Sequence, residues 1–264
     1  MASISIRELD KGVVMAKLGT VDWLEQTHGK VGLRDKLTMI AQGVRARAAT
    51  QKRIKYNVKF RHCEVDDILP PDSAIAREAM SMCESASETY LLHHCLRSYF
   101  WARLLDDGCQ SFDDEAVFTA FMLHDMGLTD KHRLVGDHEQ CFTIVGARMT
   151  QELAIKHQWS DKRAKLASNA IALHLNIVVD PCHGREAQIL RMGSGADVAG
   201  IGMDVLHSDQ VASVCAHYPR TGFKASMIKS TGQEAIERPQ CRMAFLNKSL
   251  GFDKLIANAK VFGD

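Results

Sequence analysis

Five side chains able to bind a metal ion or move a proton recur in or beside apolar stripes: His94, the adjacent His124 and Asp125, His174, and Asp197. Arg97 follows the first by three residues. Imidazole nitrogens combined with carboxylate oxygens suit zinc, iron or manganese, and with two histidines zinc or iron ahead of magnesium. Each residue taken alone has a plainer explanation, a core histidine bonded to a carbonyl. Buried without partners, either type is costly. On consecutive antiparallel helices the same residues can project inward into one shared bundle core. Spacing therefore leaves two readings open, a common metal site or several separately satisfied polar groups.

The elements that must position these residues are helical. Val117, Ala120, Phe121 and His124 fall at i, i+3, i+4 and i+7, which puts His124 on the apolar face of a helix that Gly127 can end. That helix starts near Ser111, with Asp113, Asp114 and Glu115 favourably placed in its first turn. His94 and Arg97 belong to a helix carrying Leu91, Leu92, Cys95, Leu96, Tyr99 and Phe100. Ser85 and Glu88 have capping-box spacing at its start, and it stops near Gly108. A polar connection over residues 129–137 leads to a helix with Phe142, Val145, Gly146, Met149 and Leu153. Asp161 can cap the next, whose stripe of Ala164, Ala167, Ile171, His174, Leu175 and Val178 ends at Pro181. Asp197 sits on a helix from about Arg185, and a further helix is stopped by Pro219. Upstream, helical signals lie around residues 21–26 and 34–49, and Pro70-Pro71-Asp72 is a break with Asp72 as a cap. In Ile54-Lys55-Tyr56-Asn57-Val58-Lys59-Phe60-Arg61 apolar and polar residues alternate, the pattern of a half-buried strand with a basic outer face.

The fold class expected is all-α, with a short strand near residues 54–61. The chain of 264 residues is 46% hydrophobic and 25% charged, ordinary for a globular protein. A net charge of +1 gives no overall pull towards nucleic acid or membrane, so neither is expected as a partner, and the basic strand face is read as solvated. No apolar run approaches the roughly 18 residues of a membrane span. The N-terminus lacks the pattern of a signal peptide. Eight scattered cysteines form no Cys-x-x-Cys pair, so reduced thiols and a cytoplasmic location are expected.

Four segments together resemble the HD-domain superfamily of metal-dependent hydrolases. His94-Cys95-Leu96-Arg97-Ser98 is similar to its His-x-x-Arg helix, and Leu123-His124-Asp125-Met126-Gly127 to its Leu-His-Asp-x-Gly signature. Ala170-Ile171-Ala172-Leu173-His174 and Gly195-Ala196-Asp197-Val198-Ala199-Gly200 resemble the later segments. Asp197-Val198-Ala199-Gly200 and Tyr218-Pro219-Arg220 look most like the cyanamide hydratase branch and its bacterial relatives. The resemblance covers about residues 64 to 222. It implies an HD-domain helical bundle with residues 1–63 as an N-terminal extension packed on the core. Residues 64–222 would then be the catalytic core and 223–264 a C-terminal helical tail of the same domain.

It also implies a single divalent metal, zinc first and iron or manganese as alternatives, held by His94, His124, Asp125 and Asp197. Water activated to hydroxide at such an ion would attack a small uncharged substrate, a cyanamide-like nitrile leading. Asp125, His174, Arg97 and His132 are the catalytic candidates for moving protons or orienting substrate. Two departures stand out: His93 replaces an asparagine before the first ligand, and Thr143 replaces a glutamate after Phe142. The extra histidine of two-metal relatives is missing there, although His138 lies a little earlier. Two alternatives remain. One is an HD-type phosphohydrolase on a nucleotide or phosphomonoester, with Lys131, His132, Arg133 and Arg220 as cations for phosphate. The other is a non-catalytic ligand-binding HD domain. The expected partner is a small molecule, with homo-oligomer formation left open.

Overall fold

The apolar stripes become twelve α-helices in a computed structural model that describes residues 16–56, 63–108, 110–135 and 141–262. In chain order they are α1 (Val21–Thr27), α2 (Leu33–Tyr56), α3 (Ala74–Ala86), α4 (Thr89–Leu105), α5 (Asp114–Leu123) and α6 (Thr143–Lys156). They continue with α7 (Asp161–Leu173), α8 (Arg185–Ala199), α9 (Ser208–His217), α10 (Phe223–Glu237), α11 (Arg242–Leu250) and α12 (Phe252–Ala257). The described residues contain no strand. Residues 54–56, expected to open one, are the end of α2, and residues 57–61 lie outside the described residues, as does His138. Alternation over three residues is overridden because a 24-residue helix is already propagating into them, and extension costs far less than nucleation.

α5 is the centre. Every residue from Ala116 to Leu123 is buried, as befits a helix that is apolar all round and enclosed by others. It packs against α3, α4, α6, α7 and α8, while α4 and α8 form the most extensive helix pair. Gly193 makes that pair close. A Cβ there would stand 2.1 Å from the Ser98 carbonyl oxygen and 2.8 Å from Ala102 Cβ, so only glycine lets α8 approach α4 at this level.

Helix ends differ from expectation in instructive ways. Ser73 rather than Asp72 caps α3, because the Asp72 carboxylate turns to Arg77 at 2.8 Å. Ser85 does not open α4; it lies inside α3 and its hydroxyl donates back to the Met82 carbonyl. Ser160, one residue before Asp161, caps α7 by accepting from Arg163 N. Asp113 caps α5, accepting from Ala116 N at 3.1 Å.

Candidate metal centre

α5 ends at Leu123, so His124 occupies its C-cap and Asp125 the next position. Leaving the helix here frees the two side chains to turn inward. The Nδ1–H of His124 donates to the Phe121 carbonyl at 2.8 Å, which fixes the tautomer and leaves Nε2 with its lone pair facing the cavity. Gly127 does not terminate α5. It lies in the one-turn 3₁₀ helix Met126–Leu128, where a Cβ would meet the Phe142 carbonyl oxygen at 2.3 Å. The glycine is required by a close approach.

His94 comes from the middle of α4. Its Nε2 stands 3.2 Å from His124 Nε2 and 3.4 Å from Asp125 Oδ2, and His124 Nε2 is 3.4 Å from that same oxygen. Among the described residues these three form the group whose donor atoms all lie within 4.8 Å of one another. His174, the C-cap of α7, is held the same way as His124, with Nδ1 on the Ile171 carbonyl at 2.7 Å. Its Nε2 is 3.5 Å from Asp125 Oδ1, and its ring meets the His124 ring edge-on at 4.9 Å.

Asp197 lies on the other side of His94. Its Oδ2 takes the His94 Nδ1–H at 2.7 Å, and the Arg97 guanidinium grips both oxygens, Nε to Oδ1 at 2.7 Å and Nη2 to Oδ2 at 2.9 Å. Trp101 Nε1 and Arg220 Nη1 also donate to Oδ1, at 2.8 and 2.9 Å. Arg97 spends its remaining nitrogen on the Tyr218 and Pro219 carbonyls. Of the two adjacent histidines, His94 points inward, whereas His93 is at the surface against the Pro219 carbonyl.

Electrostatics follow this geometry. Burial holds the His124 imidazole down to about 3, so it is neutral at ordinary pH. Burial also pulls on His94, but hydrogen bonds from it to Asp125 and Asp197 outweigh that and raise it. Burial would push Asp197 up, yet the Arg97 charge and the His94 bond hold it far below the carboxylate range. Asp125 is likewise held low, the interaction with His124 and hydrogen bonds from His174 and His94 overcoming burial.

The remaining expected residues are elsewhere. The half-buried His132 has its backbone N–H on Thr129 Oγ1, and burial with the neighbouring Lys131 charge lowers its ring. No hydrogen bond or ring contact joins that ring to the histidine–aspartate cluster among the described residues. Thr143 faces away: its hydroxyl accepts from Arg242 Nη2 at 2.9 Å, while the neighbouring Phe142 ring packs on His174. Trp101 and Phe223 were missed. Trp101 is four residues past Arg97 on the same helical face, a legible signal. Phe223, stacked on the His94 ring at 5.4 Å, comes from the tail and carries no local signal. A cleft of about 520 Å³, lined by Arg220, Phe223, Lys224 and Phe262, adjoins the cluster through Phe223 and Arg220.

The donor set fits an ion. In tetrahedral coordination at about 2.0–2.1 Å, ligand atoms are about 3.3 Å apart, close to the 3.2, 3.4 and 3.4 Å edges of the His94–His124–Asp125 triangle. Each histidine also has its other nitrogen bonded to an oxygen acceptor, the outer support that metal-binding imidazoles receive. No curated protein matches the chain. Residues 91–192, which contain His94, His124, Asp125 and His174 and end five residues before Asp197, match the family model described as HD domain; the match supports the HD-domain superfamily for this part of the chain and, with the His-His-Asp cluster, metal-dependent hydrolase activity in general.

Proposed function

We propose that the protein is a mononuclear metal-dependent hydrolase or hydratase for a small uncharged substrate, with a cyanamide-like nitrile as the first candidate. One observation carries the metal. Two imidazole Nε2 atoms meet at 3.2 Å beside a carboxylate, an arrangement suited to a shared cation because both Nδ1 atoms serve as donors to oxygen and leave the Nε2 atoms for it. His94, His124 and Asp125 are the ligands in this reading. Asp197 acts through His94, fixing its tautomer, instead of completing the four-residue set that the resemblance implies. A divalent ion there would supply Lewis acidity and bring the pKa of a water towards about 7.

The chain's own groups do the rest. Asp125 and His174 form the slightly exposed edge of the cluster, with side chains 6% and 7% exposed, so substrate is met there. Asp125 Oδ1 and His174 Nε2, 3.5 Å apart, can hold one proton between them. Hydration of a nitrile adds a proton to nitrogen as carbon gains oxygen, and this pair is placed to move it. Phe223 and Phe142 pack on His94 and His174 and keep the surroundings apolar.

Two of the four cations named for phosphate are engaged, whereas Lys131 is exposed at the surface. Arg133 donates to the Leu128 carbonyl and Ser230 and lies 3.7 Å from Glu237, and Arg220 is bound to Asp197. This supports an uncharged substrate over a phosphoester. The test has two parts. Metal analysis of the purified protein should give about one equivalent, lost in His124→Ala. The loaded protein should then release urea from cyanamide and no phosphate from nucleotides; phosphate release alone would overturn the substrate class, and a stable metal-free protein the whole reading.

A further inference from the structure

α2 is a 24-residue helix most of whose described side chains between Leu33 and Ala48 are exposed. Of its residues from Leu33 to Arg47, Met39 is the one buried, and Gly43 passes Ile177 and Leu250. On the outer side, Leu33, Leu37, Ile40 and Val44 are 76%, 60%, 44% and 65% exposed. Their spacing of four, three and four residues aligns them in a single stripe along the helix. The exposed Arg34 and Arg45 flank it on one side and Lys36 and Arg47 on the other. The helix sequence holds seven Lys and Arg against one acid, Asp35, leaving 26 Lys and Arg against 31 Asp and Glu in the rest of the chain. The near-neutral net charge therefore conceals a strongly basic helix on a mildly acidic body.

We propose that α2 docks on an anionic lipid surface, lying in the interface with its apolar stripe down and its flanking cations among the headgroups. Three considerations select this occupant. Lipid phosphate and carboxylate groups complement the helix charge. An apolar stripe edged by Arg and Lys is the pattern of an interfacial helix, whose aliphatic stems reach over the apolar face while the charges stay in water. A second copy of α2 would bring like charge against like charge. Four apolar side chains also fall well short of the ~800 Å² per partner of a stable dimer. Nucleic acid would use the cations and leave the apolar stripe unexplained. No described helix is long and apolar enough to cross a membrane, so the contact is peripheral.

The experiment is flotation of the full chain with phosphatidylcholine vesicles, with and without phosphatidylserine. Binding is expected to the anionic vesicles and to weaken with salt. Leu37→Ser with Val44→Ser, and separately Arg45→Glu with Arg47→Glu, should each lower partitioning by about tenfold or more. Thermal unfolding and helical circular dichroism should be unchanged, because all four side chains are exposed. The proposal fails if anionic vesicles are not bound, or if both variants bind them as the parent does. It also fails if the serine variant instead converts a dimer to a monomer by light scattering, which would assign the stripe to a second copy. Binding of duplex or single-stranded nucleic acid in place of vesicles, untouched by the serine changes, would likewise overturn it.

Discussion

At the scale of residues, the centre depends on which side of the His94 ring each partner occupies. Asp125 approaches Nε2 with His124, and Asp197 approaches Nδ1. The two aspartates therefore have separable roles. Asp125→Asn should abolish metal retention, whereas Asp197→Asn should leave an ion bound about 10–100-fold more weakly, the usual cost of losing an outer partner. Competition with a chromophoric chelator measures both; equal losses would make Asp197 a ligand. The Asp197 variant should also unfold more easily, because Arg97 and Arg220 would lose their carboxylate in a buried site. Gly127→Ala tests the backbone below the pair. Its methyl would sit 2.3 Å from the Phe142 oxygen, so the turn must shift and carry Asp125 with it. Metal content should fall together with stability.

At the scale of elements, α5 is positioned by its ends and by close helix approach. Asp113 caps α5 and pairs with Arg163 of α7, Nη2 reaching Oδ1 at 2.7 Å. Burial would raise Asp113, but Arg163 and the Ala116 N–H hold it below the ordinary aspartate value. A carboxyl depressed on folding contributes stability above its unfolded pKa, about 3.9. That contribution is lost as pH falls through the folded value. Asp113→Ala should cost about 0.5–2 kcal/mol near neutral pH, in line with a lost cap. The gap from the parent in urea titrations should close as pH drops below about 4; a gap independent of pH would remove the charge from the account. Gly193→Ala should cost about 1–3 kcal/mol through overpacking against Ser98 and Ala102.

At the scale of the whole molecule, candidate ligands reach one point from α4 and from the end of α5, with His174 supplied by α7 and Asp197 by α8. An ion shared between segments that unfolding would separate binds the folded chain far better than the unfolded one. Removing it with a chelator should lower the unfolding temperature, and restoring zinc should recover it; a midpoint indifferent to chelator would count against the centre. Beyond the ligands, α10 brings Phe223 onto His94, and its Glu234, buried and bonded to Arg238, accepts the Phe142 N–H beside the site. The last helices thus complete the walls of the centre.

The sequence alone determined the helical class and most of the helices, because a 3.6-residue apolar period survives without knowledge of neighbours. It also singled out His94, His124, Asp125, His174 and Asp197, because polar groups on apolar stripes need partners. It misjudged residues 54–56, where a local alternation lost to a helix already under way, the caps at Asp72 and Asp161, where a neighbouring serine takes the N–H, and Ser85, which lies inside α3. Only the tertiary structure decided who meets whom. Asp197 and Asp125 are alike in sequence, yet one meets four donors on the Nδ1 side of His94 and the other meets His94, His124 and His174 on the Nε2 side. Thr143 turns to Arg242, ninety-nine residues away, and Phe223 closes on His94 from the far end of the chain. Such contacts arise from helix packing, which places side chains by crossing angle and distance and leaves no periodic trace in the chain.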